Sequence, residues 1–68
     1  MEAKFKDPTD SDNDLIISNS GFGGYIFLTI DDEDSTSDFR ISLSDISPLI
    51  KMLELFQTKQ HIINAGLD

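Results

Sequence analysis

Residues 25–43 read Tyr25-Ile26-Phe27-Leu28-Thr29-Ile30-Asp31-Asp32-Glu33-Asp34-Ser35-Thr36-Ser37-Asp38-Phe39-Arg40-Ile41-Ser42-Leu43, and they decide the fold. The first six are aromatic or β-branched apart from Leu28, the composition of a strand. Alternation puts Ile26, Leu28 and Ile30 on one face and Tyr25, Phe27 and Thr29 on the other. Residues 32–37 supply turn-forming Asp and Ser, which predicts a hairpin connection. Residues 38–43 alternate again, with Phe39, Ile41 and Leu43 facing in and Arg40 and Ser42 facing out.

Outward from this hairpin, Leu15-Ile16-Ile17 predicts a further short strand, and Gly21-Phe22-Gly23-Gly24 predicts the tight turn joining it to the hairpin. Ser47-Pro48 marks a helix start, with Ser47 as cap and Pro48 at the first helical position. Ser44 is the alternative cap, which leaves Pro48 still in the first turn. At 100° per residue, Leu49, Met52, Leu53, Phe56, Gln60 and Ile63 share a face that Leu67 would continue. Asn64-Ala65-Gly66 predicts the stop, with Gly66 as the left-handed residue. Residues 1–14 are polar and charged, with Phe5 their one large apolar side chain, and read as an acidic, disordered arm. The expectation is therefore an α+β fold, β-β-β-α. A three-stranded antiparallel sheet is packed by one C-terminal helix in a small two-layer sandwich, with residues 15–68 as a single domain.

With 68 residues there is room for one small domain. With no cysteine there is no disulfide and no thiolate site. No apolar run is long enough to span a membrane, and no apolar stretch follows the first lysines as in a signal peptide; a cytoplasmic protein is expected. Chemistry finds little footing. The single His61 lies about 120° from the centre of the helix's apolar face, and no Ser-His-Asp set forms without it. Asp10-Ser11-Asp12-Asn13-Asp14 has the alternating acids of a calcium loop. However, Leu15 stands where that loop needs Gly, and Gly21 where it needs Glu. The glycine-rich segment lacks the Lys-Ser/Thr of a phosphate loop and precedes a strand. Neither enzymatic activity, cofactor nor metal is expected. Ser35 and Ser42, each with Asp three residues on, match an acid-directed kinase pattern that recurs by chance in such chains.

The net charge of −8 comes from 5 Lys+Arg against 13 Asp+Glu, and it is not spread evenly. Residues 1–14 set Lys4 and Lys6 against five acids, and residues 31–38 carry Asp31, Asp32, Glu33, Asp34 and Asp38 with no base. The remainder balances. Such a chain repels nucleic-acid phosphate and anionic membrane and complements a basic protein surface. Asp31, Asp32, Glu33, Asp34 and Asp38 are the candidate partner-binding acids, with Tyr25 and Phe27 as apolar anchors. Leu55 and Ile62, one heptad apart and off the main helical face, are candidates for self-association as a homodimer.

The stretch YIFLTIDDEDSTSDFRISLSDISPLIKMLELF, residues 25–56, resembles the ββα unit of small acidic phage proteins that inhibit host defence. Among these, it looks most like the anti-CRISPR proteins that block an RNA-guided nuclease. Members of that class often imitate duplex DNA. The resemblance implies an inhibitor acting in the host cytoplasm on the basic site of a nucleic-acid-handling protein. The helix here is nearly charge-balanced, so plugging one local pocket is expected rather than extended duplex mimicry. An immunity or antitoxin protein facing a basic toxin nuclease has the same electrostatics. A dimeric assembly subunit, whose acids only solubilise, is the reading from a different class.

Overall fold

The aromatic and β-branched run folds as expected. In the computed structural model, which describes residues 1–19 and 23–66, four strands form one antiparallel meander. These are β1 (Glu2–Asp7), β2 (Asp10–Asn19), β3 (Tyr25–Asp31) and β4 (Thr36–Ser42), ordered β1-β2-β3-β4. A single 3₁₀ turn (Leu43–Asp45) leads into helix α1 (Ile46–Asn64). The α+β class and the C-terminal helix match the sequence reading.

Two expectations are corrected. The sheet has four strands rather than three, because residues 1–14 are ordered into β1 and the start of β2. Ala3 pairs with Ile17 and Phe5 with Leu15, while Glu2, Lys4 and Lys6 point to the other face. That alternation gives the segment a binding face despite its polar composition. Its turn is closed by Asp7, whose Oδ1 accepts the Thr9 N–H at 2.8 Å and the Thr9 hydroxyl at 2.6 Å.

The helix, in turn, does not cover the sheet: its one substantial tertiary contact is with the 3₁₀ turn that precedes it. The turn is held at its start by the Leu43 N–H, which donates to the Gly24 carbonyl at 2.8 Å, and by the Ser42 side chain, which accepts from the Ser44 N–H. From this turn α1 leads away without packing on the strands. Pro48 lies in the first turn of α1, where its missing N–H has no partner to lose. Neither Ser47 nor Ser44 is the cap; Asp45 occupies that position without a side-chain hydrogen bond. The helix ends as predicted, with Gly66 at φ 73° donating to the Ile63 carbonyl.

The residues expected to form a core therefore sort into separate places. One sheet face is built from three cross-strand rows: Asn19-Ile26-Ile41, Ala3-Ile17-Leu28-Phe39 and Phe5-Leu15-Ile30-Ser37. No charged side chain lies in these rows. Leu49, Met52, Leu53, Phe56 and Ile63 stand on the detached helix. None of the described residues is buried, and Phe39 and Phe56 are 66% and 63% exposed. Gly21 and Leu67 lie outside the described residues; of the expected turn, Gly23 adopts φ 97°, and a Cβ there would meet the Tyr25 ring at 3.0 Å.

If β1 is an integral strand, its amides should resist hydrogen exchange, and deleting residues 1–8 should cost stability. The expected loss is at least about 4–8 °C of melting temperature, the change that roughly 1 kcal/mol makes in a domain this small. A dispensable arm would leave the melting curve where it was.

Candidate acidic binding site

The meander sends its first and third connections to the same end of the sheet. The Asp7–Asp14 segment and the 31–34 segment, far apart in sequence, therefore meet. Lys6, Asp14, Asp31 and Thr36 form the last paired row before the tips. Beyond it, Asp10, Asp12, Asn13, Asp32, Glu33 and Asp34 line a shallow hollow of about 190 Å³. Two strand spacings, roughly 10 Å, separate the tips centre to centre. Eight carboxylates gather at this end, from Asp7, Asp10, Asp12, Asp14, Asp31, Asp32, Glu33 and Asp34. Lys6 is the base among them, joined to Asp14 at 2.9 Å.

The acids divide into two sets by what they hold. Asp32 builds its own loop. Its Oδ1 accepts the N–H groups of Asp34 at 2.8 Å and Ser35 at 2.7 Å, and its backbone N–H donates to the Ser35 carbonyl at 2.9 Å. These donors, Asp34 N–H first, hold its carboxyl below the ordinary value of 3.8. Thr9 does the same for Asp7. Asp10 accepts the Asp12 N–H at 3.0 Å, Asp31 accepts the Thr36 hydroxyl at 3.0 Å, and Asp38 accepts the Thr29 hydroxyl at 2.8 Å. By contrast, the carboxylates of Asp12, Glu33 and Asp34 take part in no hydrogen bond among the described residues. The first set, apart from Asp38 on β4, stiffens the two tips; the second projects charge from them.

Of the acids named from sequence, Asp31, Asp32, Glu33 and Asp34 come together here. Asp38 sits farther along β4, opposite Thr29. Asp12 belongs with Glu33 and Asp34 but is not marked in the sequence, because only the pairing of β1 and β2 with the rest of the sheet brings it there. Tyr25 is six residues before Asp31 on β3, roughly 20 Å away, and Phe27 two residues nearer. These two rings make an edge-to-face pair with centroids 5.4 Å apart. Arg40 lies over both, 5.9 Å from the Tyr25 centroid and 5.8 Å from that of Phe27. The aromatics are thus a separate, cation-capped cluster on the charged sheet face. Leu55, 62% exposed, and Ile62, 37% exposed, lie on α1.

No protein-family model matches the chain, and no curated protein or solved structure matches it. Among the described residues, no group of three or more His, Asp or Glu is arranged to hold a metal ion, and no helix is long and apolar enough to cross a membrane.

Because Asp7 and Asp32 ionise below their unfolded value, the stability they contribute is present above about pH 4 and is lost as pH falls through their lowered folded values. Asp32→Ala should therefore lower the melting temperature by a few degrees at pH 7, with the difference from wild type shrinking in acid. Thermal melts of both proteins between pH 2 and 7 check this. Glu33→Ala, which removes charge without removing a loop bond, should not lower it.

Proposed function

We propose that this protein is a non-enzymatic binding module whose acidic end plugs a basic, nucleic-acid-binding site on another protein and so inhibits it. The observation that carries this reading is the convergence of two stiffened, acid-rich turns around one hollow. Carboxylates held on rigid turns can occupy the places that phosphates take in an Arg/Lys site, because charge-assisted hydrogen bonds from guanidinium serve both anions. The hollow between the tips is open to solvent and lined by acids from both, so one cationic side chain entering it meets carboxylates of the two turns. Rigid tips also limit the ordering entropy lost on association.

Asp12, Glu33 and Asp34 are the contact carboxylates in this scheme. Asp7, Asp10, Asp31 and Asp32 shape the turns and add to the field that steers a basic partner in. Tyr25 and Phe27 lie too far along the sheet to anchor the same small pocket, so they serve only a partner broad enough to reach along the charged face. The resemblance of residues 25–56 to phage inhibitors of host defence favours a CRISPR or other defence nuclease as the target.

The triple variant Asp12→Lys, Glu33→Lys, Asp34→Lys removes no internal hydrogen bond and should fold like the wild type. Both proteins, immobilised, should be challenged with host lysate. The wild type is expected to retain basic nucleic-acid-binding proteins that duplex DNA displaces and that rising salt releases. The variant should bind the retained protein roughly a hundredfold more weakly, as like charges meet across the interface. Equal capture by the variant would show that the acidic end is not the binding surface.

A further inference from the structure

Two apolar surfaces of this chain remain uncovered and do not meet within it. One is the apolar sheet face made by Ile17, Leu28 and Phe39 with the rows on either side, bordered by Asp7 and Asp14 at its Leu15/Ile30 end. The other is α1, whose apolar residues run from Ile62 and Leu55 through Met52, Phe56 and Leu49 to Ile50. At 100° per residue they are spread over about 240° of the helix, with Lys59 between Leu55 and Met52 and with Gln60 and Gln57 on the way to Ile50. A helix that lies on a single sheet needs little more than 100° of apolar surface. The flanking Leu55 and Ile62 lie beyond the stripe of Met52, Phe56 and Leu49 and suit a second contact on that side. We propose that a second copy of this chain supplies the cover. Each α1 lies across the apolar sheet face of its partner in a two-fold dimer, and the Leu55/Ile62 flanks of the two helices meet.

Three quantities support a second copy as the occupant. By size scaling a folded monomer of 7.6 kDa exposes about 4,300 Å², whereas this chain exposes 5667 Å². The excess, about 1,400 Å² per chain, falls within what each partner buries in an obligate dimer. The radius of gyration is 14.7 Å, against about 11 Å for a compact chain of this length; the difference lies in a helix extending beyond the sheet. The third quantity is charge. With −8 on each copy, self-association is tolerable only through a surface free of acids. The apolar rows carry no charge, and α1 sets Lys51 and Lys59 against Glu54 alone. The helix, about 28 Å long, is long enough to cross all four strands. The exchange is reciprocal, as an isologous interface requires.

The wild-type chain tests this without any variant. Sedimentation at micromolar concentration should give twice 7.6 kDa, and the melting temperature should rise by about 5 °C per tenfold increase in concentration. Refolding a mixture of ¹³C-labelled and unlabelled chains should then give isotope-filtered contacts between Leu53 or Phe56 of one copy and Ile26, Leu28 or Ile41 of the other. A single-chain mass with concentration-independent melting would overturn the proposal. So would a dimer whose helix–sheet contacts are all within one chain, or one joined only edge to edge through β1 or β4. Salt separates this association from binding at the acidic end: rising salt should tighten the dimer by screening like charges and weaken capture of a basic partner. The Asp12, Glu33 and Asp34 triple variant should keep the dimeric mass, so either reading can fail while the other stands.

Discussion

The Leu43 N–H···O=C Gly24 hydrogen bond ties the start of the 3₁₀ turn to the base of β3, and the course of α1 follows from it. Only three residues separate β4 from the helix, and the first of them is held by this bond, so the turn sets the angle at which α1 leaves the sheet. With α1 led away, cross-strand hydrogen bonding shapes the sheet while its apolar face gains no cover from the same chain. Backbone pairing without a core stabilises weakly in water, which is why the exposed face and the exposed helix are best understood as two halves of one requirement.

The hairpin and the end of the helix were legible in the sequence because each rests on local chemistry. Alternation in residues 25–30 and 38–43, Asp and Ser in the turn, and Gly66 after Asn64 all act within a few residues. β1 was written just as locally, with Ala3 and Phe5 alternating against Glu2, Lys4 and Lys6. Net polarity masks that alternation, so a strand with one small and one large apolar residue has the composition of an arm. The position of α1 was not legible, because amphipathic spacing specifies that a face will be covered and not by which chain. The signal the sequence offers is that Leu55 and Ile62 fall outside the stripe that one sheet can use.

The acid cluster separates two roles that share one residue type. Asp is favoured in turns because its carboxylate accepts nearby backbone N–H groups, and Asp7, Asp10 and Asp32 are used in that way. Their bonds are local, yet from sequence they could not be told apart from Asp12, Glu33 and Asp34, whose carboxylates do no such work. The distinction matters for binding. A carboxylate already accepting two amides is fixed and partly satisfied, whereas a free one must find its donors in water or on a partner.

Topology links these observations. In a meander, odd-numbered connections fall at one end of the sheet and even-numbered ones at the other. Here the first and third connections are Asp-rich, the second holds Gly23 and Gly24, and α1 begins beside that second connection. Charge therefore gathers at one pole while the helix departs from the opposite one. Within the strands, the period of two sends Lys4, Asp38 and Arg40 to one face and leaves the three central rows of the other without charge, with Asp7 and Asp14 bordering it beside Leu15 and Ile30. A chain at −8 can then associate with itself through the uncharged rows and still present its acids elsewhere, because the fold has separated the two surfaces in direction as well as in distance.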